Sequence, residues 1–401
     1  RILDQLCREG KCVIIITSEM PELLAMSDRI MVMCDGRITG FIDGKETADR
    51  LERTLSAVEG LPKVRGNLYN WYDLKTLSVL GDGFVSFVDS GNLAVCLLAV
   101  AEGLGEYGEA EERFPALSAE CLRLAEETDL SFFYNPKKDL FSLGWSEKKQ
   151  AHESGCYDLL MSEARTASYY AVARGAAPGK HWYALGRTVA SDKGYVGMVS
   201  WSGTMFEYLM PQLFLPIYRN SFGEETLLFA LRAQRKAAVK KLWGVSESGY
   251  YAFDGGLHYR YHAHGVRKLA LRRDARGETV ISPYSSYLAL AVSPAAAVKN
   301  LEALEKQGMY GKYGLYEALD LTPGRSNGGV AGQSYMAHHV GMSITAVANA
   351  LSGGIFVRRF MADPRMNAAA GLLQEKLPPH HPLIVAIHSP YHVLHSPLWA
   401  D

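Results

Sequence analysis

The sequence predicts an all-α fold, a toroid of helical hairpins behind a short α/β piece, on three observations. Apolar residues recur with a period of about 3.6 across segments of helical length. Strand-like alternation is scarce after Thr47, and short loops rich in Gly, Pro and aromatic residues separate the segments. At roughly 27 residues per helix and loop, the chain beyond that point supplies about a dozen helices. A plain bundle or solenoid is the alternative, but no internal repeat period of roughly 20 to 50 residues is present.

Residues 1–46 read differently. Val13 to Thr17 is a short β-branched run, Pro21 to Met26 opens a helix, and Ile30 to Cys34 leads into the turn Asp35-Gly36. The stretch CVIIITSEMPELLAMSDRIMVMCDGRITG resembles the C-terminal end of the ATP-binding subunit of sugar-importing ABC transporters. Such an ATPase gathers a glycine-rich phosphate loop, a lysine and a magnesium-binding acid around its nucleotide. No G-x-x-x-x-G-K-[ST] occurs in the chain, and Ser18-Glu19 stand where these subunits often carry a switch histidine. No ATP binding is therefore expected from this truncated piece, which reads as a fusion remnant or product of gene assembly without activity of its own. The chain opens on Arg1 inside a folded pattern, which predicts a piece of a longer protein.

The second unit spans residues 52–376. Its amphipathic segments include Leu93 to Leu104, Ala116 to Glu127, Asp158 to Arg174, Glu224 to Leu242 and Ala295 to Gln307. Residues 377–401, rich in Pro and His, form an irregular tail.

With 401 residues, 48% of them hydrophobic and 21% charged, the chain can bury a large core, and large-scale disorder is excluded. A net charge of −1 argues against a nucleic-acid backbone or an anionic membrane as partner and suits a neutral substrate. The six cysteines include no C-x-x-C pair, so neither a zinc site nor a disulfide framework is expected. Reduced, cytoplasmic chemistry is the default, with a periplasmic or secreted location left open. The longest purely apolar stretches, such as Leu93 to Ala101, fall short of the roughly 18 residues of a membrane span.

Unusual residues concentrate in loop-like stretches, where a helical scaffold places binding sites. These are YNWYD (Tyr69 to Asp73), VDSGN (Val88 to Asn92), YDLLMSEARTASY (Tyr157 to Tyr169), SWSGTMFEYLMP (Ser200 to Pro211), WGVSESGYYAF (Trp243 to Phe253) and YGLYEALDLTPGR (Tyr313 to Arg325). Together with YMAHHVGMS (Tyr335 to Ser343) and FMADPRMNAAAGLLQEK (Phe360 to Lys376), they resemble the glycoamylase-like family. The likeness is greatest to the central, transglycosylase domain of bacterial cyclic β-1,2-glucan synthases, and it covers nearly the whole second unit. The resemblance implies an (α/α)6 barrel with glucan bound across its mouth and cleaved or transferred without a cofactor.

Glycoside chemistry needs two carboxyl groups, one to protonate the leaving oxygen and one to attack the sugar or activate water. Glu163, in SEAR, reads as lying on a helix, with an ion pair to Arg165 as its structural alternative. Glu247, in SES between Trp243 and Tyr250, sits where desolvation would keep a carboxyl protonated. The resemblance implies Glu163 as nucleophile and Glu247 as acid/base. Competing carboxyls are Glu317, Asp89, Asp73, Asp158 and Glu207. Asp89 or Asn92 also reads as a helix N-cap, and Glu317 with Arg325 as a structural pair or as a sugar-binding one.

Trp71, Tyr72, Trp201, Trp243 and Tyr316 are candidates for stacking on glucose rings, whose C–H faces are apolar. Asp73, Asp89, Asn92, Tyr157, Arg165, Glu317, Arg325 and His338 complete the expected substrate-binding set. Adjacent helical residues point about 100° apart, so only one of His338 and His339 is expected to face the site. His258, His262 and His264 could be drawn as a metal site, but no acid is interleaved, and a solvated hairpin explains them. The expected function is hydrolysis or transglycosylation of β-1,2-glucan with retention. An inverting endo-β-1,2-glucanase, a non-catalytic sugar-binding protein and a chimeric, non-functional product are the alternatives.

Overall fold

The computed structural model describes residues 30–34, 37–42, 44–253, 255–272, 278–325 and 329–376. Twelve α-helices lie among these residues. They are α1 (Gly44–Gly60), α2 (Phe87–Glu106), α3 (Phe114–Glu127), α4 (Arg165–Ala173), α5 (Lys180–Ala184), α6 (Met205–Leu209), α7 (Phe222–Lys236), α8 (Tyr284–Leu288), α9 (Pro294–Glu305), α10 (Ala337–Leu351), α11 (Ile355–Ala362) and α12 (Pro364–Ala368). The strand Val13 to Thr17, the helix at Pro21 and the tail 377–401 lie outside the described residues. Ile30–Cys34 pairs antiparallel with Arg37–Ile42, the hairpin expected around Asp35-Gly36.

Between the helices the chain forms short antiparallel hairpins of two to six residues per strand, more strand than the helical periodicity predicts. Hairpins this small have no alternation long enough to read in sequence.

Helix boundaries follow local chemistry. α2 starts at Phe87, six residues before the expected Leu93, because the Oγ of Ser86 caps it by accepting the Asp89 N–H at 3.2 Å. Asp89 and Asn92 are thus inside the helix and not its caps. α6 carries a complete capping box between Thr204 and Glu207. In α7 Ser221 caps the start, Glu224 and Glu225 sit in the first turn, and Arg235 and Lys236 in the last, each sign matching the helix dipole. The segment read as one helix from Asp158 becomes helical only at Arg165. Before it, Leu159 bridges Gly186, and the Ser162 Oγ accepts the Ala164 N–H at 3.1 Å, holding residues 161–164 in a turn.

α2 is the central core helix. By length and composition it is the one straight helix among the described residues apolar enough to cross a membrane, yet most of it is buried within the protein. It packs on α3, α4 and α11, while α8 packs on α6, α9 and α10, and α10 joins α11. Phe87 stacks on Phe141 with ring centroids 4.1 Å apart. α1 runs unbroken through residues 46–52 and packs on α3, where Arg113 bonds Asp49 at 2.7 Å. Gly44–Gly60 therefore packs with the helical unit as an outer helix.

Gly91 sets the approach of α2 to α4. A Cβ at this position would lie 2.3 Å from that of Ala167. Gly to Ala inside a helix ordinarily stabilises by about 1 kcal/mol, but here the methyl group must push two packed helices apart. Gly91→Ala is expected to destabilise by about 1–3 kcal/mol, read as a lowered melting temperature; an unchanged or raised one contradicts this packing.

Candidate active site

Four carboxyls converge from separate elements. Glu163 comes from the turn before α4, Glu247 from the bend before the strand Ser248–Gly249, Asp89 from α2 and Glu207 from α6. Glu163 is therefore not helical, and it is not paired with Arg165. Its carboxyl is pushed up to about 8, first by burial and then by the charges of Glu247, Glu207 and Asp89, while a hydrogen bond from Tyr157 opposes the rise. Glu247 is raised by burial as well. The hydroxyl of Tyr261 and the nearby His339 pull it back, and Glu207 and Asp89 push it up. Burial and the neighbouring carboxylates thus disfavour the charged form of both Glu163 and Glu247.

The two glutamates have different companions. Glu163 receives the Tyr157 phenol proton, a bond that favours its charged form. Glu247 is served by a hairpin: Ser248 pairs with His262 and Gly249 with Tyr261, which brings the Tyr261 hydroxyl to the Glu247 carboxyl. That hydroxyl also lies 3.2 Å from Nε2 of His339 and 3.1 Å from Nε2 of His338. Nδ1 of His339 lies 2.9 and 3.0 Å from the two oxygens of buried Glu317, and Glu317 accepts the Gly249 N–H at 3.1 Å. Tyr284 lies flat on the His339 ring, 3.7 Å between centroids, and its hydroxyl donates to the backbone oxygen of Glu247 at 2.9 Å.

Both histidines therefore reach the site, against the expectation of one. They approach the Tyr261 hydroxyl from two sides, so a 100° separation on α10 is no obstacle. Burial and the neighbouring His339 push His338 down to about 4. Tyr261 and Tyr284 were not among the expected residues. The signal for Tyr261 was the alternation His258, Arg260, His262 around it in a hairpin opposite SESG.

Other expected residues are occupied elsewhere. Arg165 is buried, donating to the Tyr208 carbonyl at 3.4 Å and to the Met161 sulfur at 3.1 Å. It points into the core because it opens α4 on its packed face. Burial alone pushes it down to about 10. Trp243 is only 6% exposed and is core, its backbone held by Asn300. Arg325 pairs with Glu278 and Asp320, so the supposed Glu317–Arg325 pair does not exist. Asp73 caps its own turn by accepting the N–H groups of Lys75 and Thr76 at 2.9 and 2.7 Å. The Tyr72 hydroxyl is spent on Tyr69 N and Pro62 O. Tyr316 is half-buried against Gly311 and Tyr335.

Trp71 and Trp201 keep open faces, 68% and 46% exposed. Trp201 is fixed by its Nε1–H to Asp158 at 2.7 Å, beside Tyr157. Asp89 is exposed and accepts from Asn70 at 3.0 Å, with half-buried Asn92 three residues further along α2. Glu207 accepts from Ser200, Ser202 and Thr204, which hold its carboxylate in place. Among the described residues no group of three or more His, Cys, Asp or Glu is arranged to hold a metal ion; His264 instead hydrogen-bonds Tyr250 at 2.6 Å.

Two half-buried carboxyls with separate proton partners, beside exposed aromatic rings on a helical frame, form the constellation used in glycosidic-bond chemistry. The chain belongs to the glycoamylase family, whose model matches residues 158–364. A cyclic β-(1,2)-glucan synthase of Rhizobium meliloti is 30% identical over 488 aligned residues, which cover 90% of this chain but 17% of that protein. The chain thus spans about a sixth of that relative's length. An endo-β-1,2-glucanase from Chitinophaga pinensis, solved with sophorotriose and glucose, shares the fold with a TM-score of 0.67 at 19% identity over 83% of this chain and 82% of that one. A separate stretch of 45 residues is 60% identical to a galactose/methyl galactoside import ATP-binding protein of Clostridium tetani, covering 11% of this chain and 9% of that protein.

Proposed function

We propose that residues 52–376, with α1 as an outer helix, form an (α/α)6-barrel glycoside hydrolase or transglycosylase acting on β-1,2-linked glucan with retention of configuration. The likeness to a β-1,2-glucan synthase and a β-1,2-glucanase supports the substrate. The residues before α1 are a remnant of an ATP-binding subunit without activity of its own.

The observation that carries the mechanism is the division of partners between Glu163 and Glu247. Glu163, on which the Tyr157 hydrogen bond opposes the burial and neighbouring charges that disfavour ionisation, attacks the anomeric carbon as the carboxylate. Glu247, connected to a buried proton-carrying network, protonates the departing oxygen and then accepts the proton of an incoming sugar hydroxyl or water. Trp201 and Trp71 offer stacking faces for the sugar rings. Inversion is favoured by one observation: exposed Asp89 lies close enough to act on both glutamates and could activate a water.

The test is turnover of linear β-1,2-glucan compared with β-1,3- and β-1,4-glucans. Cleavage or transfer of the first alone is expected, lowered about 10²–10⁴-fold by Glu247→Gln. Equal turnover of the other linkages sinks the substrate assignment.

A further inference from the structure

The Tyr261 hydroxyl has one proton and stands between the Glu247 carboxyl and Nε2 of His339, with His338 at its side. On the far side of the ring, His339 offers Nδ1 to both oxygens of Glu317, which is nearly inaccessible to water and is fixed by the Gly249 N–H. A carboxylate so placed holds the imidazole with its proton on Nδ1, leaving Nε2 to exchange a proton with Tyr261. Tyr284 stacked on the ring keeps it from turning.

We propose that Glu317, His339 and Tyr261 form a proton relay that loads and unloads Glu247, an inference that rests on Glu247 being the acid/base. With Glu247 ionised and His339 cationic, Nε2–H donates to the Tyr261 oxygen, and the Tyr261 hydroxyl donates to the Glu247 carboxylate. Two short hops, Nε2–H to the phenol oxygen and phenol O–H to the carboxylate, leave Glu247 protonated and His339 neutral. No atom is gained or lost, and the ion pair is neutralised. When Glu247 passes its proton to the leaving oxygen, the Tyr261 hydroxyl turns back to the new carboxylate. Burial and the Glu247 charge hold the Tyr261 phenol far above its ordinary pKa, so it passes protons without itself ionising.

The relay answers a difficulty of the site. Glu247 faces Glu163 from the turn before α4, Asp89 from α2 and Glu207 from α6, and among the described residues the His339 imidazole on α10, with neutral His338 beside it, faces it from the other side. Turnover needs a proton on Glu247 and none on Glu163, and a proton delivered through Tyr261 reaches Glu247 alone.

The test uses the full chain with ¹⁵N-labelled histidine, and His339→Asn assigns the signals. Wild type is expected to show His339 protonated at Nδ1, with an Nε2 signal that changes in Tyr261→Phe and Glu247→Gln. In kinetics, Tyr261→Phe removes a donor to the Glu247 carboxylate, so the basic limb of kcat/KM moves up by about half a pH unit or more while kcat falls about tenfold or more. Tyr157→Phe, acting on Glu163, moves the acidic limb up instead. A merely structural Tyr261 would lower kcat and leave the limbs in place. If Glu247→Gln is inactive but Tyr261→Phe shifts neither limb nor the His339 signal, the relay is overturned and the acid/base assignment stands. If Glu247→Gln retains full turnover, both fail. A His339 protonated at Nε2 and bare at Nδ1 overturns the relay whatever the kinetics.

Discussion

Glu163→Gln is expected to abolish turnover and at the same time to make the protein more stable in mild alkali. An amide cannot attack the anomeric carbon, and loss of a nucleophile costs on the order of 10³–10⁵ in kcat. The stability effect follows from linkage. The Glu163 carboxyl titrates near its ordinary 4.5 in the unfolded chain and about 8 in the fold, where burial and the charges of Glu247, Glu207 and Asp89 disfavour ionisation. The folded state therefore binds its proton more tightly. The stability this contributes is complete below the unfolded value and is lost as the pH climbs from about 4.5 through 8. Gln carries no charge at any pH, so its advantage over wild type should be absent near pH 4 and full above pH 8. Paired thermal melts at those two pH values check this. A variant equally stable at both, relative to wild type, would mean that Glu163 is not held in a charge-disfavouring site. Activity lost with stability gained is the pattern of a group strained for function.

Arg187→Met is expected to cause the largest loss of stability. Arg187 is almost wholly buried and grips Glu375 through Nε at 2.7 Å, while Trp182 Nε1 donates to the same carboxylate at 2.9 Å. The Glu375 carbonyl also accepts the Phe222 N–H at 2.6 Å, so this contact ties the end of the helical unit to the start of α7. Removing the guanidinium strands a largely buried carboxylate, at a cost of about 3–5 kcal/mol. Arg187→Met with Glu375→Gln removes both charges and should recover most of that loss, because the net worth of such a pair is small and the expense lies in the orphaned charge. Urea denaturation of the two variants measures it. Equal losses in single and double variants would contradict the explanation.

The helical character and the hairpin around Asp35-Gly36 were legible from periodicity and turn chemistry, and the two glutamates that the family resemblance singles out lie in one cluster of carboxyls. What misled was local. Leu159, Leu160 and Met161 mimic a helical face and extended α4 backward by a turn and more, hiding that Glu163 sits in a loop held by Ser162. The cap of α2, Ser86, stands ahead of the motif VDSGN, in which Asp89 and Asn92 offer the same capping chemistry. Arg165 and Trp243 have the residue types of sugar binders, but burial is decided by which face of the fold a residue meets, and that is a tertiary property. His339 and Tyr261 lie far apart in the chain, and only the hairpin returning from Gly249 to Tyr261 brings them together.

The central claim, two-step chemistry through Glu163 with Glu247 as acid/base, is tested most directly by ¹H NMR of the anomeric protons during the first turnovers of linear β-1,2-glucan. β-Configured new reducing ends, or β-linked transfer products, that vanish in Glu163→Gln and Glu247→Gln are the result expected. New ends that appear first as α-anomers, from the same well-folded protein, would contradict it and make Glu163 something other than a nucleophile.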